Sequence, residues 1–248
     1  MRFCLLLVAA CHASHGGSVD AKQPDAPDAP DTYRSAVIGD APIAYWRLAD
    51  TTVTDEIHGY DGALVGGCAT TAGALAGDSD GAMHFDGTCK IVFPDHFGFA
   101  GNAPFAIELW MSTTPNAQFQ QLFGHETRDT QNPLDGYALF VTPTPGGLSL
   151  ERVIAGTSKK APVVPFGAAA FTYVVAQYTG TTLETYVDGA LGSSAAEVRA
   201  AADVVATAVA GASVAGNYFV GTLDELAVYD KALTIEQIAH HRALARGN

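Results

Sequence analysis

Acidic residues that alternate with apolar ones are the first candidates for chemistry in this sequence. Hydrolysis of a glycosidic bond with retention needs two carboxylates close together, and acidic residues at alternate positions of a strand supply them on one face. Glu108 is the one acidic residue in the run of residues 105–111. Asp224 and Glu225 are adjacent, so strand alternation directs them to opposite faces. The sequence therefore predicts no catalytic carboxylate pair and no enzyme.

The acidic pair Asp224–Glu225 belongs to a strand pattern that runs directly into a helix pattern. The strand pattern begins at Gly221, and Thr234 and Gln237 then have the spacing of a capping box. These features predict a strand followed by a short helix from Ile235 to about Ala245. The two predicted faces of the strand are Leu223, Glu225, Ala227 and Tyr229 on one side, and Asp224, Leu226 and Val228 on the other.

Glycine, proline, threonine and short alternating runs dominate the rest of the chain, which is typical of an all-β sandwich. Residues 105–111 alternate most clearly. Two pairs of runs predict hairpins: residues 82–85 with 90–93, and residues 174–178 with 183–187. Residues 195–210 are rich in alanine and allow two interpretations, a helix by propensity or an irregular strand.

Five short segments, in order, resemble motifs of laminin-G-like, concanavalin A-like jelly-roll domains. They read AYWRL at 44–48, AMHFDG at 82–87, PFAIELW at 104–110, YVDG at 186–189 and GTLDELAVYDKAL at 221–233. The resemblance implies an all-β, two-sheet antiparallel jelly-roll sandwich with a short C-terminal helix, over residues 33–248. It also favours an irregular strand for residues 195–210. Because this family includes lectins, adhesion modules and enzymes, the fold alone does not give the function.

The resemblance also implies a structural calcium ion between the first and last strands. The ligands carried over from the family are the carboxylates of Asp55 and Asp224 and the backbone carbonyls of His58 and Gly59. Oxygen ligands of this kind suit calcium. The loop DEIHG at 55–59 departs from the family's usual Asp-x-Ser-Gly, and Asp224 is alternatively a cap at the strand entry.

Aromatic and histidine side chains near predicted loops are the candidates for contact with a ligand such as a sugar. Trp46 and Trp110 lie inside strand motifs and are expected in the core. Each candidate is also compatible with ordinary packing. The ligand-binding candidates are Tyr60, His125, Tyr137 and Tyr218, with Phe119 as a further stacking candidate.

The N-terminal 32 residues have the composition of a leader and a linker. Residues 1–10 carry Arg2 and an apolar run too short to span a bilayer. Residues 8–11, VAAC, resemble the lipobox of bacterial lipoproteins, which implies that Cys11 is lipidated; an ordinary secretory signal is the alternative. Residues 11–32 repeat Asp-Ala-Pro, and this composition predicts a disordered tether. The expected location is the bacterial cell surface or outer membrane, through the lipid alone.

Charge and cysteine content limit the partners and the compartment. The chain has a net charge of −13, and removing residues 1–32 takes away two basic and four acidic residues and leaves −11. Such a chain repels nucleic acid and anionic lipid headgroups. Beyond the leader, Cys68 and Cys89 are the two cysteines, and in an exported chain they predict one disulfide.

These observations predict a surface-anchored, lectin-like module that binds an extracellular glycan or protein. A structural or adhesion lipoprotein without a small ligand is the alternative, and a glycoside hydrolase is the third possibility. The oligomeric state does not follow from the sequence.

Overall fold

The structure is a computed structural model that describes residues 32–127, 135–167, 171–213 and 216–246. The leader, the lipobox cysteine Cys11 and the tether up to residue 31 lie outside the described residues, so lipidation stays a prediction. Within the described ranges, no helix has the length and apolar character needed to cross a bilayer.

Strands form nearly all of the regular structure, and one short helix stands at each end of the described chain. The helices are α1 (Tyr33–Gly39) and α2 (Ile235–Ala245). The strands are β1 (Ala44–Trp46), β2 (Ala63–Val65), β3 (Ala69–Ala72), β4 (Gly81–Asp86), β5 (Lys90–Phe93), β6 (Phe105–Thr113), β7 (Gln120–Thr127), β8 (Asp135–Val141), β9 (Leu148–Ile154), β10 (Thr157–Lys160), β11 (Thr172–Tyr178), β12 (Thr182–Val187), β13 (Ala190–Ala196), β14 (Ala208–Ala210) and β15 (Val220–Tyr229).

The strands form two antiparallel sheets, as the jelly-roll resemblance implies. The first sheet has the order β13-β12-β11-β6-β15-β4-β3, with β1 also paired to β15. The second has the order β10-β9-β8-β7-β14-β5-β2. Residues close in space are therefore often far apart in sequence, and β15 lies at the centre of the first sheet.

The two faces of the first sheet are both covered. Phe105, Ile107, Leu109 and Met111 of β6 belong to the core between the sheets. Ala106 and Trp110 belong to a second apolar cluster with residues of both helices. The alternation predicted for residues 105–111 is confirmed, and both tryptophans are buried as expected.

The helices follow from local capping signals. α2 has the bounds that the sequence predicts, and Thr234 and Gln237 form the capping box. α1 is missing from the sequence-based description. Its signal is a second box, because Thr32 caps Ser35 and the Ser35 side chain accepts from the Thr32 backbone. Both helices pack on the outer face of the first sheet through the second cluster.

Three predictions about strands meet different outcomes. The hairpin of residues 174–178 with 183–187 is confirmed as β11–β12. The hairpin of residues 82–85 with 90–93 is wrong: β4 belongs to the first sheet and β5 to the second, so the turn between them passes from one sheet to the other. Residues 195–210 contain no helix and end in the short strand β14.

The predicted disulfide is present between Cys68 and Cys89. Cys68 immediately precedes β3 of the first sheet, and Cys89 immediately precedes β5 of the second. The bond therefore ties the two sheets together near one edge. Closing a loop of this length contributes roughly 3 kcal/mol in the chain-entropy account.

Candidate functional site

A bulge in β15 defines the first candidate site. The pairing of β15 with β6 shifts between Asp224 and Ala227, and Glu225 has a left-handed backbone with a φ of 52°. One extra residue therefore interrupts the alternation at this point. Leu223 faces the core between the sheets with Leu226 and Val228, so the face predicted for it is wrong.

The bulge brings together carboxylates that strand alternation was expected to separate. Asp80, Asp224 and Glu225 each place a carboxylate oxygen within 4.8 Å of the others. The prediction that Asp224 and Glu225 cannot form a pair is therefore wrong. The physical reason is the extra residue and the left-handed conformation of Glu225, neither of which strict alternation allows.

The place of this carboxylate cluster follows from the topology. Along one edge of β15, residues 220–223 pair with β4 and residues 226–228 pair with β1. Asp224 and Glu225 lie at the junction between these two partners. Asp80 directly precedes β4, and Arg47 directly follows β1. Three distant segments thus converge at one point of the sheet.

The hydrogen-bond partners within the cluster are incomplete. Asp224 is fully buried; its Oδ2 accepts from the backbone N–H of Ala74 at 2.7 Å, while its Oδ1 is a buried oxygen without a partner. Asp80 has two such oxygens, although its Oδ2 lies 2.6 Å from Arg47 Nη2 without hydrogen-bond geometry. Glu225 is the satisfied member, because it accepts from Arg47 and from the Tyr45 hydroxyl.

The electrostatics of the cluster favour uptake of positive charge. Burial raises the pKa of Asp224 to about 7. Burial, together with the neighbouring charge of Asp224, raises the pKa of Glu225 to about 8. Among the residues that the structure describes, Arg47 is the cation in contact with the cluster, and it also binds Asp78 at 2.6 Å. Three carboxylates lie against this one guanidinium and Asp224 is a fourth nearby, which leaves negative charge that protons or a metal cation must balance.

Asp55 does not join this cluster, contrary to the expected ligand set. Its Oδ1 accepts from the backbone N–H groups of Tyr45 and Ile57, and its Oδ2 from those of His58 and Tyr60. Four backbone donors therefore occupy the carboxylate, and the loop that contains Gly59 turns around it. The structure instead groups Asp224 with Asp80 and Glu225.

A polar groove on the same sheet is the second candidate site. It has a volume of about 470 Å³ and lies at the end of β15 opposite to α2. Thr222 is paired with His84 of β4 on one side and with Ser112 of β6 on the other. These three side chains form a row across the sheet face. The other lining residues are Thr113, Thr114, Pro115, Asn116, Val220 and Gly221.

Hydrogen bonds from two buried side chains join the two walls of the groove. Gln120 is fully buried; it donates from Nε2 to the Thr114 carbonyl at 3.3 Å and accepts at Oε1 from the Val220 N–H at 3.0 Å. Thr113 donates to the Val220 carbonyl at 2.6 Å. The loop wall and the strand wall are therefore joined beneath the groove, so the groove is preformed.

The aromatic candidates from the sequence do not share one surface. Tyr137 is buried, donates its hydroxyl to the Phe97 carbonyl and packs on Phe105, so it is a core residue and not a stacking platform. His125 is also buried, with Nε2 3.1 Å from Asp95 Oδ1, and is not the exposed loop residue expected from the sequence.

The other aromatic candidates lie nearer the surface. Tyr60 is half-buried and stacks with both His58 and His96. Tyr218 is exposed and lies two residues before Val220 of the groove. Phe119 is exposed directly before β7, where it packs with Phe140 of the second sheet beside the ammonium group of Lys160.

Residues 77–81, GDSDG, have the letters of a serine-hydrolase nucleophile motif. The motif requires a sharp turn between a strand and a helix. Here the segment is a loop that leads into β4, and Ser79 is exposed within it. The structural context of a nucleophile elbow is therefore missing.

Comparison with known proteins places the chain in a family. A family model described as the concanavalin A-like lectin/glucanases superfamily matches residues 85–239, which is more than half of the chain. The chain belongs to this superfamily. No curated protein matches this chain.

Solved structures similar to this concanavalin A-like chain include domains of larger proteins. Domain 4 of AbnA, a GH43 extracellular arabinanase from Geobacillus stearothermophilus, in complex with arabinotriose, has a TM-score of 0.65 and 17% identity over 81% of this chain and 98% of that one. The binding domain of Paraclostridial mosquitocidal protein 1 has a TM-score of 0.62 and 12% identity, with 82% of this chain and 52% of that chain covered.

The binding domain of botulinum neurotoxin DC in complex with SialylT is also similar, with a TM-score of 0.60 and 12% identity over 84% of this chain and 52% of that one. The present chain thus spans about half the length of the toxin binding domains. At these identities the likeness concerns the fold.

Proposed function

We propose that this concanavalin A-like domain is a non-catalytic module that binds a glycan in the groove centred on Thr222. The observation that carries the proposal is the row of His84, Thr222 and Ser112 at the floor of a groove of about 470 Å³. Hydroxyl and imidazole groups donate and accept hydrogen bonds, as sugar hydroxyls require. The volume lies in the range of small-ligand sites.

The groove is also suited to binding because its walls need little ordering. The buried side chains of Gln120 and Thr113 join both walls through hydrogen bonds. A preformed site loses less conformational entropy on binding than a flexible one. The likeness to domain 4 of an arabinanase, in complex with arabinotriose, supports a glycan as the class of ligand.

A glycan array with the full chain tests the proposal. Thr222→Val removes the central hydroxyl at nearly constant volume, and we expect it to reduce binding at least about fivefold, in the range of a lost hydrogen bond. Thr157→Val, on an exposed strand of the other sheet, is the matched control and should bind like wild type. No glycan bound by wild type, or equal loss in both variants, contradicts the proposal.

The glycan array and a turnover assay on the same protein distinguish two other functions from glycan binding. A structural or adhesion protein without a small ligand gives no signal on the array but retains a protein partner. A glycoside hydrolase releases products from labelled polysaccharides. We expect no turnover, because Asp224 and Glu225 of the cluster are buried and the described residues that line the groove include no carboxylate pair.

A structural calcium ion at the carboxylate cluster is the second proposal. Asp80, Asp224 and Glu225 supply hard oxygen ligands, which calcium prefers. The residues fit a cation because Asp224 Oδ1 is a buried oxygen without a partner. A bound divalent cation would neutralise the cluster and link β15 to the segment that precedes β4.

Surface anchoring remains part of the proposed function. The resemblance of residues 8–11 to a lipobox implies lipid attachment at Cys11, with residues 11–32 as the tether. Labelling with a fatty-acid probe should give a signal for wild type and none for Cys11→Ser. Equal signals would contradict lipid attachment at Cys11.

A further inference from the structure

The fixed charges around the Thr222 groove bear on the class of glycan that it accepts. Among the residues that the structure describes as lining the groove, none is lysine, arginine, aspartate or glutamate. The polar groups in the lining are hydroxyls, an amide and the imidazole of His84. A glycan carboxylate or sulfate would therefore find no cationic partner in the lining.

Asp86 adds a negative charge at the rim. It is the direct cross-strand partner of Val220, which lines the groove, and it lies on the same face of β4 as His84. Its carboxylate accepts from the side chain and the backbone N–H of Thr88 at 2.7 and 2.8 Å, and these bonds lower its pKa. Asp86 is therefore ionised over the neutral range and held in one place.

The chain as a whole acts in the same direction. The net charge of −13 repels anionic ligands at long range, and the rim carboxylate repels them at contact. Neutral sugars feel neither effect, because their hydroxyls interact through short-range hydrogen bonds. Unpaired like charges placed against each other are a means of discrimination between otherwise similar ligands.

We propose that the groove selects uncharged glycans over uronic, sialylated or sulfated ones, and that Asp86 at its rim is a residue that determines this selectivity. The inference rests on the proposed glycan-binding function and concerns the same groove. Asp86 is exposed, so the expected discrimination from this residue is modest, roughly two- to fivefold at low ionic strength, and it decreases as salt is added.

The test compares matched neutral and acidic saccharides on the full chain. The probes are a galacto-oligosaccharide with its galacturonide of equal length and a gluco-oligosaccharide with its glucuronide, each presented beside the array glycans. Wild type should prefer the neutral member of a bound pair. Asp86→Asn keeps the side-chain shape and an acceptor for Thr88. It should reduce the gap, the ratio of neutral to acidic affinity within a pair, two- to fivefold at low salt. Asp230→Asn, at the other end of β15, should leave the gap unchanged.

The outcomes distinguish this inference from the function on which it rests. Absence of binding to every glycan, neutral or acidic, overturns both. Uronides that bind wild type as tightly as neutral saccharides overturn the selectivity and leave the glycan-binding function standing. A neutral preference that Asp86→Asn does not change, or that Asp230→Asn changes equally, overturns the role of Asp86.

Discussion

Two buried acidic centres on the same sheet differ in how completely they are satisfied. Glu108 of β6 is fully buried, and it accepts from the hydroxyls of Tyr33, Tyr173 and Tyr229 at 2.7–2.9 Å and from His241 Nδ1 at 3.0 Å. The carboxylate cluster of Asp80, Asp224 and Glu225 has one guanidinium and retains buried oxygens without partners.

The direction of the pKa shifts reflects this difference. Burial raises the pKa of Glu108, but the facing charge of His241 and the hydrogen bonds outweigh it, so the net shift is downward. Burial dominates at Asp224 and Glu225, whose pKa values rise to about 7 and about 8. The donors and the facing imidazole keep Glu108 charged, whereas the unpartnered oxygens of Asp224 and Asp80 leave room for a cation.

The Glu108 centre joins the helices to the sheet. Tyr33 is the first residue of α1, and His241 lies on α2 with its Nε2 3.1 Å from Asp40, the C-cap of α1, without hydrogen-bond geometry. The four groups that donate to Glu108 thus come from four different elements, α1, β11, β15 and α2. Loss of this centre should loosen both helices, while loss of a carboxylate from the cluster should affect one end of β4.

The largest expected effect is the difference in the free energy of unfolding between the variants Glu108→Gln and Asp224→Asn. Removing one partner of a buried charged network costs about 3–5 kcal/mol, so Glu108→Gln should strongly reduce the free energy of unfolding. Asp224→Asn in chelator should change it by less than about 1 kcal/mol, because the pKa of about 7 leaves the Asp224 carboxyl largely protonated near pH 6 and the amide keeps an acceptor for the Ala74 N–H. Urea unfolding near pH 6 measures both, and equal losses would contradict the comparison.

Calcium should stabilise the protein through the carboxylate cluster and not through the Glu108 centre. At about 100 times the Kd, a ligand specific to the folded state adds about 2.7 kcal/mol. We expect calcium to raise the Tm of wild type relative to chelator, and Asp224→Asn to abolish the rise. Asp55→Asn should lower the Tm through the loss of its loop contacts but keep the calcium response. If Asp55→Asn loses the response instead, the ligand set implied by the family is right and the cluster is not the site.

The pH dependence of the free energy of unfolding should show the contribution of the Glu108 centre. Burial lowers the pKa of His241, but the Glu108 and Asp40 charges outweigh this, so the net shift is upward. Its contribution is therefore present below the ordinary value of about 6.5 and is lost as pH rises through the folded pKa. Glu108 has a lowered pKa, so its contribution is present above about 4.3 and is lost as pH falls through its folded pKa.

A Tm series across pH on wild type and His241→Gln measures this dependence. Asp224 and Glu225 also lose protons as pH rises, so the difference between the two proteins isolates His241. Each unit by which its pKa is raised corresponds to about 1.4 kcal/mol. The difference should shrink above neutral pH; a constant difference would show that His241 is uncharged in the fold.

The smallest expected effect concerns the cap of α2. Thr234→Ala removes the side chain that accepts from the Gln237 N–H and should cost about 1 kcal/mol. The calcium-induced shift in Tm should stay as in wild type, because α2 belongs to the Glu108 centre and not to the carboxylate cluster. A smaller shift in this variant, measured beside Thr157→Ala as a surface control, would show that the two centres are coupled.

Local patterns determined much of the fold. The alternation of β6, the β11–β12 hairpin, the capping box and the bounds of α2 follow from residues within about ten positions of one another, where strand and helix periods act directly. The disulfide follows from there being only two cysteines beyond the leader. The same kind of signal was available for α1 in Thr32 and Ser35.

The carboxylate cluster was decided by the tertiary structure alone. Alternation places Asp224 and Glu225 on opposite faces, and the sequence contains no mark of the extra residue that reverses this. The bulge lies where β15 changes partners from β4 to β1, which is a property of the sheet and not of the strand. The same junction delivers Asp80 and Arg47 from distant segments.

The groove has the same origin. Thr222, His84 and Ser112 are unremarkable in sequence and become neighbours because β15 pairs with β4 and β6 at that register. The sequence determined which residues are apolar, capped or bonded through sulfur, because those properties depend on short-range chemistry. Which polar groups meet, and which buried oxygens lack a donor, depends on contacts between residues more than a hundred positions apart, which only the folded sheets bring together.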